Sequence, residues 1–212
     1  MDFYARALEL QSFSVENRRQ LHGFAEVGLD LPKSKSLVME TLQSYGIEAR
    51  ECGHGVTATI GKGGKTIMLR ADMDALPMPE ESGLLFACKS GDRAHACGHD
   101  MHTAMLLTAA RMLKENEAAL EGCVKLLCAA RMLKEKEDEL KGTVKLMFQP
   151  GEEIFKGSLD MMEAGILENP HVDAVIAYHM AAGKMPVGIF MYNSKDTMMF
   201  SVDGFKITIK GR

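Results

Sequence analysis

VKLMFQPGEE, residues 144–153, is a short β-rich apolar run that stops at Pro150-Gly151 and delivers two adjacent carboxylates, Glu152 and Glu153. Residues 144–149 read as a strand, and the segments around it alternate in kind. VTATIG (56–61) and TIMLRAD (66–72) are two further strands, joined by Lys62-Gly63-Gly64-Lys65, a loop that suits a hairpin. VDAVIAYH (172–179) is another. Helical patterns occupy residues 2–22 and 31–46, the second with Pro32 near its first turn and Gly46 placed as its left-handed C-terminal residue. A third helix opens after Gly98 and runs through MLLTAARMLKENEAAL, and a fourth lies around 158–164, stopped by Gly165. Helices alternating with strands predict an α/β fold in three layers, a sheet covered by helices on both faces.

In such sheets chemistry gathers at the carboxyl ends of the strands. Asp72 and Asp74, Glu152 and Glu153, and His179 all fall at or just past a strand end, and HACGHD (95–100) precedes a helix, so four segments can converge on one edge. A thiolate and an imidazole are strong ligands for borderline-soft divalent metals, and Gly98 lets the Cys97-x-His99 turn point both donors at one place. Taken alone, a cysteine is usually a small buried hydrophobe and a histidine a satisfied polar residue. The paired glutamates weigh against that blander reading, because like charges side by side cost energy unless a cation or a shared proton compensates. One carboxylate can then hold a metal while its neighbour works as a base.

Composition narrows the field. The 212 residues, 46% hydrophobic and 25% charged, suffice for one good core or for one domain plus part of another. A net charge of −4 with scattered basic residues argues against a nucleic-acid partner. No apolar run approaches the ~20 residues that cross a bilayer, and MDFYARALEL lacks the layout of a signal peptide, so the expectation is a cytoplasmic protein without a membrane partner. Five widely spaced cysteines, an odd number, do not read as a disulfide framework. Seventeen methionines and no tryptophan suggest an adaptable core.

Six stretches carry a resemblance: LHGFAEVGLDLPKS, LRADMDALPMPE, HACGHDMHTAMLL, GTVKLMFQPGEE, GILENPHVDAVIAYHM and DGFKITIKGR. In order and spacing they resemble the zinc-dependent amidohydrolases of the aminoacylase and hippurate hydrolase type, which include the indoleacetyl-amino-acid and N-acetyl-diaminopimelate hydrolases. The resemblance implies a zinc-peptidase-like catalytic domain that hydrolyses the amide of small N-acyl amino acids with one or two divalent metals. Zinc is favoured, with manganese, cobalt and nickel open. It further implies Cys97, His99, Glu153 and His179 as metal ligands and Glu152 as the general base. Asp72, Asp74, Asp100 and His102 become further ligands or groups that orient them. His95 and His102, flanking the ligands, are candidates for such orienting hydrogen bonds. His22 reads as a structural or rim residue, and His54 and His171 as solvated. Similar proteins continue beyond the equivalent of Lys210-Gly211-Arg212 through a Gly-Gly-His segment into a lid and dimerisation domain, then return with one more histidine ligand. The expectation is therefore a catalytic domain over residues 1–195, the first strand of a truncated lid over 196–212, and impaired hydrolysis. The competing reading is a non-catalytic, degenerate or engineered fragment serving as an assembly or binding module.

AARMLKENEAALEGCVKLLC (109–128) is followed at once by AARMLKEKEDELKGTVKLMF (129–148), with 13 of 20 aligned positions identical. Known repeat architectures need three or more copies, so this is a local tandem duplication of one helix-strand unit. The first copy continues naturally from HTAMLLT and the second runs naturally into QPGEE. One uninterrupted helix over 103–140 would be ~57 Å long, and twenty inserted residues turn a helix by roughly 200° beyond whole turns, so both copies cannot pack on one sheet. Strong helix formers around the junction predict helix over 124–128. A long helix would carry the strand bearing Glu152 and Glu153 away from Cys97, which favours a homo-oligomer with exchanged elements. Size-exclusion chromatography with light scattering is expected to find an oligomer that is lost when residues 109–128 are deleted; a 23 kDa monomer would overturn the exchange.

Overall fold

The computed structural model describes residues 2–118 and 142–181, together with residues 183, 191 and 208. Contacts divide the chain after Met180, and all but a few of the described residues lie in the first unit. That unit runs α1 (Phe3–Glu9), α2 (Gln11–Phe24), α3 (Pro32–Ser44), β1 (Ala49–Cys52), β2 (Gly55–Ile60), β3 (Lys65–Asp72), α4 (His99–Glu115), β4 (Gly142–Gln149), α5 (Gly157–Glu163) and β5 (Ala174–Ala177). The five strands form one sheet in the order β1-β2-β4-β3-β5.

Side-chain alternation along β4 sorts the layers. Val144, Leu146 and Phe148 join Leu69 and Ala71 of β3 in one core with Leu106, Leu107, Ala110 and Leu113 of α4 and Val38 and Leu42 of α3. Met147, with Met68 of β3, faces the other way onto Met161 of α5 and Ile166. Helices therefore cover both faces, as the alternating pattern requires. The chain leaves β3 to return through α4 as the parallel strand β4, then leaves β4 to return through α5 as β5, parallel to β3 on its other side. These two crossovers run in opposite directions and put their helices on opposite faces, which opens a crevice at the carboxyl ends of β3 and β4.

The expected hairpin between residues 56–61 and 66–72 does not form. β4 inserts between these strands, antiparallel to β2 and parallel to β3. Every residue of β4 is buried, and a strand buried on both faces belongs at the centre of a sheet, where the Lys62–Lys65 loop only has to reach across one intervening strand. The helix expected over 2–22 is two helices meeting at Leu10, which turns into the core while α1 buries nothing. The two predicted glycine stops hold. Gly46 and Gly165 are left-handed, and in each case the following residue (Ile47, Ile166) donates its N–H to a carbonyl of the last turn (Leu42, Met161), with both apolar partners buried.

Of the duplicated stretch, the described residues include the end of α4, up to Glu115 in the first copy, and β4, from Gly142 in the second. The helix expected at 124–128 and the lid strand expected at 196–212 lie outside the described residues, residue 208 aside. Among the described residues no helix is long and apolar enough to cross a membrane.

Helix α3 lacks a side-chain cap of its own at Leu31. Glu26, buried in the preceding loop, takes that role, accepting from Lys33 N (3.1 Å), Ser34 N (2.8 Å) and Ser34 Oγ (2.9 Å). A carboxylate there satisfies orphan donors and complements the helix dipole. Its own carbonyl accepts from Ala75 N at 2.7 Å, tying the cap to the segment after β3. Glu26→Ala is expected to lower stability by about 1–3 kcal/mol in urea denaturation, and Glu26→Gln by less.

Candidate active site

The ladder between β3 and β4 pairs Asp72 with Gln149 and runs one step further through Met73 N to Gln149 O at 2.8 Å. Asp72 and Asp74 thus emerge beside the turn that carries Glu152 and Glu153, and Asp74 Oδ2 accepts from Glu153 N at 3.0 Å. His99 is the first residue of α4. It follows Gly98, which holds a left-handed φ of 90° where a side chain would be strained and would meet Met101 and Met180. That turn lets Cys97 and His99 face the same crevice. His179 arrives just past β5.

The structure brings these groups together. Ligand atoms of Cys97, His99 and His179 lie within 4.8 Å of one another, as do those of His99, Glu152 and Glu153, and those of Asp72, His99 and His102. His99 is fully buried: Nδ1 approaches Asp74 Oδ1 at 3.3 Å, while Nε2 faces Asp72 Oδ2 (3.7 Å), Glu153 Oε1 (3.8 Å) and Glu152 Oε2 (3.9 Å). Cys97 Sγ lies 3.3 Å from His179 Nε2. Donors spaced at roughly 3–4 Å are what a cation with ligand bonds of ~2.0–2.3 Å needs around it.

Hydrogen bonds assign the histidines. Met180 N donates to His102 Nε2 at 2.9 Å, so His102 Nδ1 carries the ring proton and donates it to Asp72 Oδ1 at 2.6 Å. His179 Nδ1 donates to the Met180 carbonyl at 2.7 Å, which leaves its Nε2 lone pair facing Cys97. Asp74 Oδ1, both His99 nitrogens and Glu153 Oε1 are buried with no hydrogen-bond partner among the described residues. Asp74 Oδ1 and His99 Nδ1 lie 3.3 Å apart, whereas His99 Nε2 and Glu153 Oε1 lie 3.8 Å apart on the other side of the ring. Buried polar atoms are normally satisfied, so the space shared by Nε2 and Glu153 marks a place for a bound cation. The electrostatics agree. Burial, then Glu153 and the other carboxylates, push the Cys97 thiol up to about 12, so it serves as a thiolate only where a cation offsets them. Burial and then Asp72 raise the Glu152 carboxyl. For His99 burial opposes the charged form, but Asp74, Asp72 and Glu153 outweigh it and the imidazole is raised. The residues fit a divalent metal.

Asp100 is not among the clustered groups. Its buried carboxylate turns to Arg18 Nε (2.9 Å), His22 Nδ1 (2.7 Å) and Met101 N (2.9 Å). His22 is no rim residue: it is buried and also reaches Glu80 Oε1 at 2.8 Å. Of the two flanking histidines, His102 orients Asp72, whereas His95 is buried with neither ring nitrogen hydrogen-bonded among the described residues, and burial pushes it down to about 4. His54 and His171 are largely exposed, with His54 Nδ1 2.8 Å from Asp160 Oδ1. Not legible in the sequence were Arg18, Glu80 and Arg70; Arg70 Nη1 lies 2.9 Å from Asp72 Oδ2. The spacing of Arg18 and His22, four residues apart on one helix face, was the available signal.

Although burial alone would raise it, the hydrogen bond from His102 and the charge of Arg70 hold the Asp72 carboxyl down at about 2. Its folded value lies below its unfolded one, so the stability it contributes is present above about pH 4 and is lost as pH falls toward 2. With chelator present, the acid limb of a stability profile is expected to steepen by about 2 kcal/mol across that window, and Asp72→Asn should flatten it.

Comparison with known proteins places the chain. The sequence profile of Peptidase family M20/M25/M40 matches residues 68–130 and 121–209, the two matches overlapping across the junction of the duplicated segments. Thermostable carboxypeptidase 1 of Saccharolobus solfataricus is 36% identical over 212 residues, 96% of this chain and 48% of that protein. Hippurate hydrolase of Campylobacter jejuni is 34% identical over 218 residues, all of this chain and 50% of that protein. The crystal structure of a dinuclear metal binding peptidase of family M20 from Bacillus subtilis superposes with a TM-score of 0.67 at 34% identity, covering 81% of this chain and 43% of that one. The chain spans about half the length of the curated relatives it matches. Its core sheet and the profile match together make it a member of peptidase family M20/M25/M40.

Proposed function

We propose that this chain carries the metal centre and general base of an amidohydrolase that cleaves the amide bond of small N-acyl amino acids. The observation that carries the reading is the convergence of Cys97, His99, His179, Glu152 and Glu153 at the carboxyl ends of β3, β4 and β5. Relatives named hippurate hydrolase and N-acetyl-L-cysteine deacetylase support the substrate class.

In this reading Cys97, His99, Glu153 and His179 hold one or two divalent metals, with zinc favoured by the thiolate and imidazole donors over manganese, cobalt or nickel. When bound, the metal supplies Lewis-acid polarisation of the scissile carbonyl. Glu152 takes the proton of the attacking water and returns it to the leaving nitrogen. Its raised pKa suits both halves of that exchange, since a base with a pKa nearer neutrality gives its proton back more readily. Asp72 and Asp74 orient the centre: Asp74 bridges the His99 ring and the Glu153 backbone, and Asp72 stands between His102 and His99. His102 in turn pins Met180, next to His179. Asp100 belongs to the support of α4.

Elemental analysis of the purified protein and hydrolysis of hippurate and N-acetyl amino acids test this together. Bound metal is expected in the native protein and is expected to fall in His99→Ala and Glu153→Gln. Glu152→Gln should keep the metal and lower whatever turnover the chain shows by about 10²–10⁴-fold. A protein that takes up no divalent metal would overturn the assignment. Full metal occupancy with no hydrolysis of these amides would favour the non-catalytic binding module.

A further inference from the structure

Beside the cluster, yet outside it, lies a buried ionic array that the proposed chemistry does not use. His22 of α2 sits between two carboxylates from different segments, with Nδ1 2.7 Å from Asp100 Oδ2 and Nε2 2.8 Å from Glu80 Oε1. Facing an oxygen on each side, the ring satisfies both only by donating from both nitrogens. Arg18, one turn earlier on α2, donates to the same Asp100 oxygen at 2.9 Å. The His22 and Asp100 side chains are almost wholly shielded, at 6% and 0% exposure, and that of Glu80 is at 4%.

Each carboxylate belongs to the carrier of a different donor. Asp100 adjoins His99 in the first turn of α4. Glu80 lies in the long irregular segment between β3 and α4 that ends in Cys97, and its second oxygen accepts from Cys88 N at 2.9 Å. The same segment is closed by a backbone bridge between Leu76 and Ala94, three residues before Cys97. Phe86, also in this segment, packs edge-on against His22 at 5.3 Å and lies under the guanidinium groups of Arg18 and Arg19 at 5.1 and 5.3 Å.

Resting on the metal reading above, we propose that His22 is a positioning residue: by clasping Asp100 on one side and Glu80 on the other, it fixes the spacing between His99 and Cys97. A buried ionic network adds little net stability over apolar packing of the same volume, but it admits only one arrangement, and removing one partner leaves the others buried and uncompensated. Loss of the clasp should therefore lower stability and also loosen the metal site. The affinity and spectrum of the folded variants, which a merely structural role would leave unchanged, separate the two.

Cobalt(II) is the probe, because its visible absorption reports coordination number and its thiolate charge-transfer band reports Cys97. Metal-free wild type, His22→Phe, Glu80→Gln and a control, His54→Ala, are titrated with Co²⁺ against a competing chelator, and thermal melting of the metal-free forms is followed in parallel. His22→Phe keeps the ring against Phe86 and loses both hydrogen bonds. It is expected to bind Co²⁺ about 10–100-fold more weakly, with altered visible and charge-transfer bands, while His54→Ala matches wild type. Glu80→Gln, nearly isosteric, should move affinity and spectrum in the same direction and decides the matter if His22→Phe fails to fold. Wild-type affinity and spectrum in the folded variants would overturn the role of His22 while leaving the metal centre intact. A wild type that takes up no Co²⁺ would overturn the metal centre and this role with it.

Discussion

The parallel pairing of β3 with β4 is the constraint on which the rest of the site depends. It sets Asp72 opposite Gln149, and that single register brings two segments separated by more than seventy residues of chain to the same height at one sheet edge. From there the chemistry follows with little freedom. The segment after β3 holds Asp74, the turn after β4 holds Glu152 and Glu153, and the Asp74 carboxylate accepts from the Glu153 backbone. A slip of one residue would turn the alternating side chains of β4 to the opposite faces, sending Phe148 and Leu146 toward α5 and Met147 toward α4, so the core enforces the register that the site requires.

Around His99 the fold concentrates negative charge far beyond what it neutralises. Asp72, Asp74, Glu152 and Glu153 all approach one buried imidazole, and among the described residues a salt bridge brings one arginine, Arg70, to Asp72. Such an arrangement is costly unless a cation enters. Burial, and after it the same imbalance, raises Cys97 and Glu152, whereas Asp72 is held down against burial by His102 and Arg70. Neighbouring acids are thus pushed in opposite directions by their partners, a separation of roles typical of catalytic clusters.

The duplicated segment shows how local sequence and tertiary demand are reconciled. Among the described residues, the opening part of the first copy lies in α4, up to Glu115, and the closing part of the second lies in the central strand β4, from Gly142. Each of these parts is continuous with the sequence that flanks it. Copy one follows the helix that His99 opens, and copy two leads into the turn that must reach the crevice. The two overlapping family matches, 68–130 and 121–209, register the same division.

Sequence by itself determined the alternation of helices and strands, the glycine stops at Gly46 and Gly165, and the candidate donors Cys97, His99, Glu152, Glu153 and His179, because periodicity, turn chemistry and donor type are local properties. It did not determine which strand lies at the centre of the sheet. Residues 56–61 and 66–72 look like a hairpin to any local reading, and only the burial available to β4 on both faces places it between them. Nor did it disclose the task of His22. A histidine on an amphipathic helix is uninformative until the fold brings Asp100 and Glu80 to its two nitrogens, and that meeting depends on three segments distant in sequence packing against one another.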